Sequence, residues 1–297
     1  MDVSTDRPEW FEKAIATASE DHFVEVEDCS IHYQLWGNPE NPCVVFIHGF
    51  SAHSHWWDFI APLIAEQQYC VAAMDFSGSG DSGHREAYSR ELYAEEVLGV
   101  ARDAGFAKPF YIVGHSFGGG ITVKTAALFG NQIAGIILAD SSVVKLPGHQ
   151  SGRRTIGALP VQVFPNQETA IRKFRIIPTQ PLVNRYIVDY IAAQSTKEVE
   201  GWVIWKADPK LLGKFKSEDL TDDLIGLKCK VGVIYGEKSN TFGDELRDYI
   251  AYILPKDSPF KSISGAFHHL FLDNPLEFVE RLTEMLNGFV KNAESKD

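Results

Sequence analysis

The polar and apolar positions of this 297-residue chain follow two rhythms. Near the N-terminus, Pro8 to Thr17 places Trp10, Phe11, Ala14 and Ile15 on one side and predicts a short amphipathic helix. Phe23–Glu27 and Ser30–Leu35 then alternate like strands around a turn at Asp28–Cys29. Beyond them come continuous apolar runs at Cys43–Ile47, Tyr69–Met74, Phe110–Val113, Ile133–Ala139, Val231–Tyr235 and Lys261–Ser264. Helix-period stretches lie near Trp57–Glu66, Arg90–Ala104, Phe117–Phe129, Asp244–Ile253 and Pro275–Val290. Apolar strands separated by helices indicate a mostly parallel sheet covered on both faces. The stretch from Ser141 to about Asp223 lacks strand runs, and Tyr186, Ile187, Tyr190 and Ile191 share one helical face. The pattern therefore predicts an α/β core over 1–140 and 224–297 and an inserted helical cap over 141–223.

Composition narrows the partners. The formal net charge is −12 with the acids dispersed. Nucleic acid and anionic membranes call for a basic patch, so neither is expected. No run of eighteen apolar residues and no signal-peptide pattern is present, and a cytoplasmic location is the expectation. Cys29, Cys43, Cys70 and Cys229 form no CxxC pair and read as free thiols, not as a zinc site or a disulfide framework. Asp75 and Asp81 flank Ser77-Gly78-Ser79-Gly80, which lacks the lysine of a phosphate loop and reads as a structural turn.

The chemistry centres on Gly114-His115-Ser116-Phe117-Gly118, a G-x-S-x-G match between a strand and a helix. A nucleophile on so tight a turn sits at strained dihedrals and needs small neighbours. The run continues to Gly120, and three glycines opening a helix break local propensity, as functional or closely packed sites do.

Four stretches carry a family likeness: FIHGF, AAMDFSGSGDS over Ala72–Ser82, IVGHSFGGG, and GAFHHLFLDNP near the C-terminus. Together they resemble the α/β-hydrolase superfamily, in its capped esterase, dehalogenase and C–C-hydrolase branch, over nearly the whole chain. The resemblance implies Ser116 as nucleophile, with oxyanion donors at the backbone N–H groups of Phe50 and Phe117. It implies His268, after the last strand, as general base, with His269 as its direct rival. His48 is expected to support the oxyanion loop. The usual acid would follow Val231–Tyr235 in a G-x-x-D turn, but Gly236-Glu237-Lys238-Ser239 puts serine there. Asp140, at the end of Ile133–Ala139, keeps the Ser–Asp–His order and is the expected acid, with Glu237 and Asp244 as alternatives.

The substrate pocket is expected to involve His115, Trp56, Phe174, Arg175 and Trp205, with Phe164, Tyr186 and Trp202 as further aromatic candidates. Arg172, Lys173 and Arg175 form a basic cluster, read either as a solvated face or as a carboxylate site. The expected activity is carboxylic-ester hydrolysis through an acyl-enzyme on a small-molecule ester, by a monomer or homodimer, with no metal or organic cofactor implied. C–C hydrolysis of a diketone acid and a non-catalytic receptor on the same fold remain alternatives.

Overall fold

A computed structural model describes residues 7–147, 161–211, 215 and 218–294. The expected apolar runs become strands. β1 (Glu20–Val26), β2 (Cys29–Trp36), β3 (Cys43–Ile47), β4 (Cys70–Met74), β5 (Phe110–His115), β6 (Ile133–Ala139), β10 (Lys230–Gly236) and β11 (Phe260–Ile263) form one sheet. Its order is β1-β2-β4-β3-β5-β6-β10-β11. β2 runs antiparallel to β1 and β4, and every pairing from β4 to β11 is parallel. All five residues of β3 and of β4 are buried, and all six of β5. A strand covered on both faces has no polar side to alternate with, which is why these segments read as unbroken apolar runs.

Helices cover the two faces. α1 (Glu9–Ala16), α2 (Ala61–Ala65), α9 (Leu270–Asp273) and α10 (Pro275–Glu294) lie with one apolar cluster built on Trp57, Phe59, Phe271 and Phe278. α3 (Arg90–Asp103), α4 (Phe117–Phe129) and α8 (Asp244–Ile253) belong to the cluster on the opposite face, with Tyr93, Val97, Ile121 and Ile250. Each fully buried side chain of this kind contributes roughly 1.5–3 kcal/mol. The helix expected near Trp57–Glu66 is shorter than its pattern, because a 3-10 turn at Ser54–Trp56 precedes it and α2 starts only at Ala61. All four cysteines are free. Among the described residues no helix is long and apolar enough to cross a membrane.

The excursion between β6 and β10 is not purely helical, which corrects the expected helical cap. It carries α5 (Gln167–Lys173) and α6 (Arg185–Gln194), but also a second, three-stranded sheet ordered β7-β9-β8. β7 is Val163–Phe164, β8 is Thr196–Val199 and β9 is Trp202–Trp205, all antiparallel. These strands are two to four residues long and largely exposed, so they carry no continuous apolar run to be read. The expected boundary at 223/224 falls inside α7 (Thr221–Gly226). Polar bonds seat the excursion on the core: His53 on Ser195, Tyr190 on Asp58, Tyr88 on Asp208, and Asn184 on the carbonyls of Leu272 and Asp273.

Candidate active site

β5 drives its last residues to the carboxyl edge of the sheet, and α4 begins at once. Between them Ser116 takes φ 53° and ψ −117°, a conformation that L-residues rarely adopt. Such strain costs about 1–3 kcal/mol and survives only where the surroundings hold it. The glycines show how. A Cβ on Gly114 would lie 2.2 Å from Thr122 Oγ1, and one on Gly118 would lie 2.5 Å from the His48 carbonyl oxygen. A Cβ on Gly119 would lie 2.2 Å from Ser141 Oγ. The run therefore admits the β3 loop on one side and the β6 loop on the other.

His268 lies in the loop between β11 and α9, and its Nε2 is 2.9 Å from Ser116 Oγ. Its Nδ1 is 2.7 Å from Asp140 Oδ1 and 2.6 Å from Thr241 Oγ1. Asp140 directly follows β6 with φ 48°, a left-handed conformation that aspartate tolerates better than most residues, and is fully buried. A buried carboxylate needs donors. Oδ2 accepts from the Gly236 N–H at 2.9 Å, while Oδ1 accepts from Ser239 Oγ at 2.7 Å and Thr241 Oγ1 at 2.8 Å. Ser239, at the position of the usual acid, thus donates to Asp140, the expected acid. Sequence reasoning missed Thr241 entirely, although it stands only two residues beyond that position. The alternative acids are elsewhere: Glu237 accepts from the Gly265 N–H, and Asp244 pairs with Arg247 at the surface.

The loop carrying His268 is fixed from several directions. His115 Nε2–H donates to the His268 carbonyl at 3.0 Å. Gln180, from the excursion, accepts the His269 N–H and donates to Asp273, which in turn accepts the Phe267 N–H. His269 does not approach Ser116 in this bonding pattern; its ring packs against Trp56, His115 and His268. Burial, and then the neighbouring His268, push His269 down to about 3. His115 is likewise held well below the usual imidazole range by burial and then by His268 and His269.

The expected oxyanion donors flank Ser116. Phe117 is the first residue of α4, where an N–H has no partner within the helix. Phe50 follows Gly49, whose added Cβ would lie 3.4 Å from Ser116 Cβ, so this loop runs directly against the serine. Neither amide has an acceptor among the described residues. His48 supports the loop: its Nδ1–H donates to the Gly49 carbonyl and its Nε2 accepts the Phe76 N–H, and burial lowers the ring below the usual imidazole range. Asp75 is a structural turn residue, accepting from the Ser54 and Asp81 N–H groups and from His32.

Of the five expected pocket residues, three share a cavity of about 410 Å³ beside the oxyanion loop: Phe174, Arg175 and Trp205, together with Phe50. The other two do not line it. His115 is 1% exposed and lies behind the His268 loop. Trp56 is 4% exposed, because the 3-10 turn at Ser54–Trp56 directs it into the apolar cluster against Phe271. Of the further aromatics, Phe164 packs on Trp205, Tyr186 packs on Phe11, and Trp202 is exposed.

Comparison with known proteins identifies the family. The chain is 23% identical to a serine hydrolase-like protein of Dictyostelium discoideum, over 89% of this chain and 83% of that one. It is 28% identical to a monoacylglycerol lipase of Mycolicibacterium smegmatis, over 86% of this chain and 92% of the lipase. Among solved structures, the thioesterase domain from the curacin biosynthetic pathway superimposes with a TM-score of 0.74 at 22% identity, covering 89% of this chain and 99% of that domain. The family described as alpha/beta hydrolase fold matches residues 42–275, most of the chain, and the protein belongs to that family.

Proposed function

We propose that this hydrolase cleaves carboxylic esters through an acyl-enzyme, with Ser116 as nucleophile, His268 as general base and Asp140 as the acid that orients it. The observation carrying this reading is the unbroken line from Ser116 Oγ through both ring nitrogens of His268 to the buried Asp140. In that geometry His268 Nε2 takes the hydroxyl proton as Oγ attacks the ester carbonyl carbon. The charge that collects on the carbonyl oxygen meets the N–H groups of Phe50 and Phe117. His268 then gives its proton to the departing alcohol. Water then attacks the acyl carbon as the same nitrogen takes its proton, and the acid departs as His268 returns that proton to Ser116 Oγ. Asp140 holds the Nδ1–H tautomer and balances the imidazolium. The similarity to a monoacylglycerol lipase supports an ester as the bond cleaved.

The test compares wild type with Ser116→Ala on p-nitrophenyl acetate, butyrate and octanoate, recording any burst. Turnover by wild type and a loss of about 10⁶ in kcat in the variant are expected. Hydrolysis by Ser116→Ala at the wild-type rate would overturn the assignment. If wild type leaves all three esters intact, ester cleavage gives way to the C–C bond hydrolase or receptor alternatives.

A further inference from the structure

The cavity beside the oxyanion loop has an unusual lining for so acidic a protein. Its apolar side is formed by Phe50, Phe174, Ile204 and Trp205. Its charged side brings together Lys173, Arg175 and Lys197, from the end of α5, the residues after it, and β8. Among the described residues none of these three cations pairs with a carboxylate. The neighbouring Arg172, by contrast, is tied to Glu168. Arg175 is also held in place, because its Nη1 donates to the carbonyls of Arg172 and Phe174. That anchoring uses one nitrogen of the guanidinium and leaves the rest of its fork without an acceptor among the described residues. The acid in the lining, Asp208, is turned to other work, accepting from Tyr88 Oη and the Lys210 N–H.

We propose that this cavity receives the anionic end of the substrate, so that the preferred ester carries a carboxylate or phosphate at the end of an apolar arm. The inference rests on the ester-cleavage reading for its chemistry, though not for its binding. Phe50 and Ser51 belong both to the cavity and to the loop that follows Gly49 against Ser116. A substrate whose carbonyl lies at the serine therefore extends one arm along Phe50 into the cavity. The aromatic walls take the methylene chain, and the cations meet the terminal charge. A guanidinium with a free edge suits a carboxylate or phosphate oxygen pair, and two ammonium groups add charge without geometric demand. Three cations that pair with no carboxylate among the described residues repel one another, and an anionic group relieves that repulsion. The cavity volume lies within the range of small-molecule sites.

The experiment uses three p-nitrophenyl esters with matched arms: the hexanoate, the half-ester of adipate, and the 6-phosphonooxyhexanoate. In wild type, kcat/KM for one or both anionic esters is expected to exceed that for the hexanoate by about tenfold or more at low salt. The arm that gains more identifies the anion. The ratio should fall towards one in Arg175→Gln/Lys197→Gln, while the surface control Arg247→Gln keeps it. Equal kcat/KM for all three esters, or a preference that survives the double variant, would overturn the proposal. A binding measurement separates this outcome from failure of the ester reading. In Ser116→Ala, Trp205 fluorescence should report tighter binding of monomethyl adipate than of methyl hexanoate, and this difference should be lost when Arg175 and Lys197 are replaced. Equal binding of the two would sink the anion site even if every ester is cleaved. Selective binding without turnover would uphold it and discard the ester chemistry alone.

Discussion

Thr241 touches both His268 Nδ1 and Asp140 Oδ1, and Ser239 adds a second hydroxyl to the same oxygen. The surroundings of the proposed acid are thus built from residues of two loops. The charge comes from the end of β6, and its hydroxyl donors come from the loop after β10. Their effects should differ in kind. Asp140→Asn removes the charge that balances the imidazolium, and kcat on p-nitrophenyl butyrate should fall by about 10⁴. Thr241→Val and Ser239→Ala each remove one charge-assisted hydrogen bond of about 1.5–3 kcal/mol, and should cost about ten- to a hundredfold. Equal losses in all three would contradict Asp140 as the source of charge. Much at this scale was legible. The neighbours of Ser116 and His268, and the chain order of Asp140 with serine at position 239, single out three residues that the structure brings into one hydrogen-bonded line. The hydroxyl partners were not legible, because serine and threonine in a loop look the same whether they face water or a buried carboxylate. The positions of His115 and Trp56 were misread for a related reason. Their place behind the His268 loop depends on a 3-10 turn and on packing from α9, neither of which a hydrophobic pattern records.

At the level of elements, the junction of β5 and α4 is where local propensity and packing disagree most. Three glycines at a helix start are unfavourable by about 1 kcal/mol each, yet Gly118 and Gly119 face atoms that leave no room for a methyl group. Gly119→Ala should therefore destabilise the protein although alanine is the better helix former. The Cβ meets Ser141 Oγ, and overpacking of this kind costs about 1–3 kcal/mol. Urea denaturation measures it, and a variant as stable as wild type would show that the β6 loop yields freely. The sheet was readable because its strands are buried on both faces. The small sheet β7-β9-β8 was not, since its short strands mix Thr196, Lys197 and Glu198 with Trp202 and Trp205 and present no period long enough to separate from a loop.

Across the whole molecule, histidine burial sets the response to acid. His48, His53, His115 and His269 are all lowered, in each case chiefly by burial. In the unfolded chain each takes up a proton near pH ~6.5. As pH falls below that value the unfolded state binds more protons than the folded one, so stability declines. For His269 the window runs from pH ~6.5 down to its folded value of about 3. His32 and His55 work in the opposite sense. Burial alone would lower them, but Asp75 and Asp58 raise them, so their contribution is present below pH ~6.5 and fades as pH rises through their folded values. His269→Gln should reduce the pH slope of unfolding free energy between pH ~6.5 and ~5 by about one proton, as read from urea melts across that range. An unchanged slope would show that His269 takes up its proton in the folded state as readily as in the unfolded one.

The excursion over the sheet departs immediately after Asp140, so its first two residues are also the mounting of the acid. Both are fastened: Ser141 Oγ donates to the Gly114 carbonyl, and Ser142 Oγ donates to the Thr241 carbonyl. In mechanical terms these serines act as a bearing. A rotation starting at Ser141 would draw the carboxylate away from His268, whereas one starting beyond Ser142 leaves the proton-transfer line undisturbed. The carboxylate is thereby fastened to the loops on either side of it at the very point where the chain leaves the sheet.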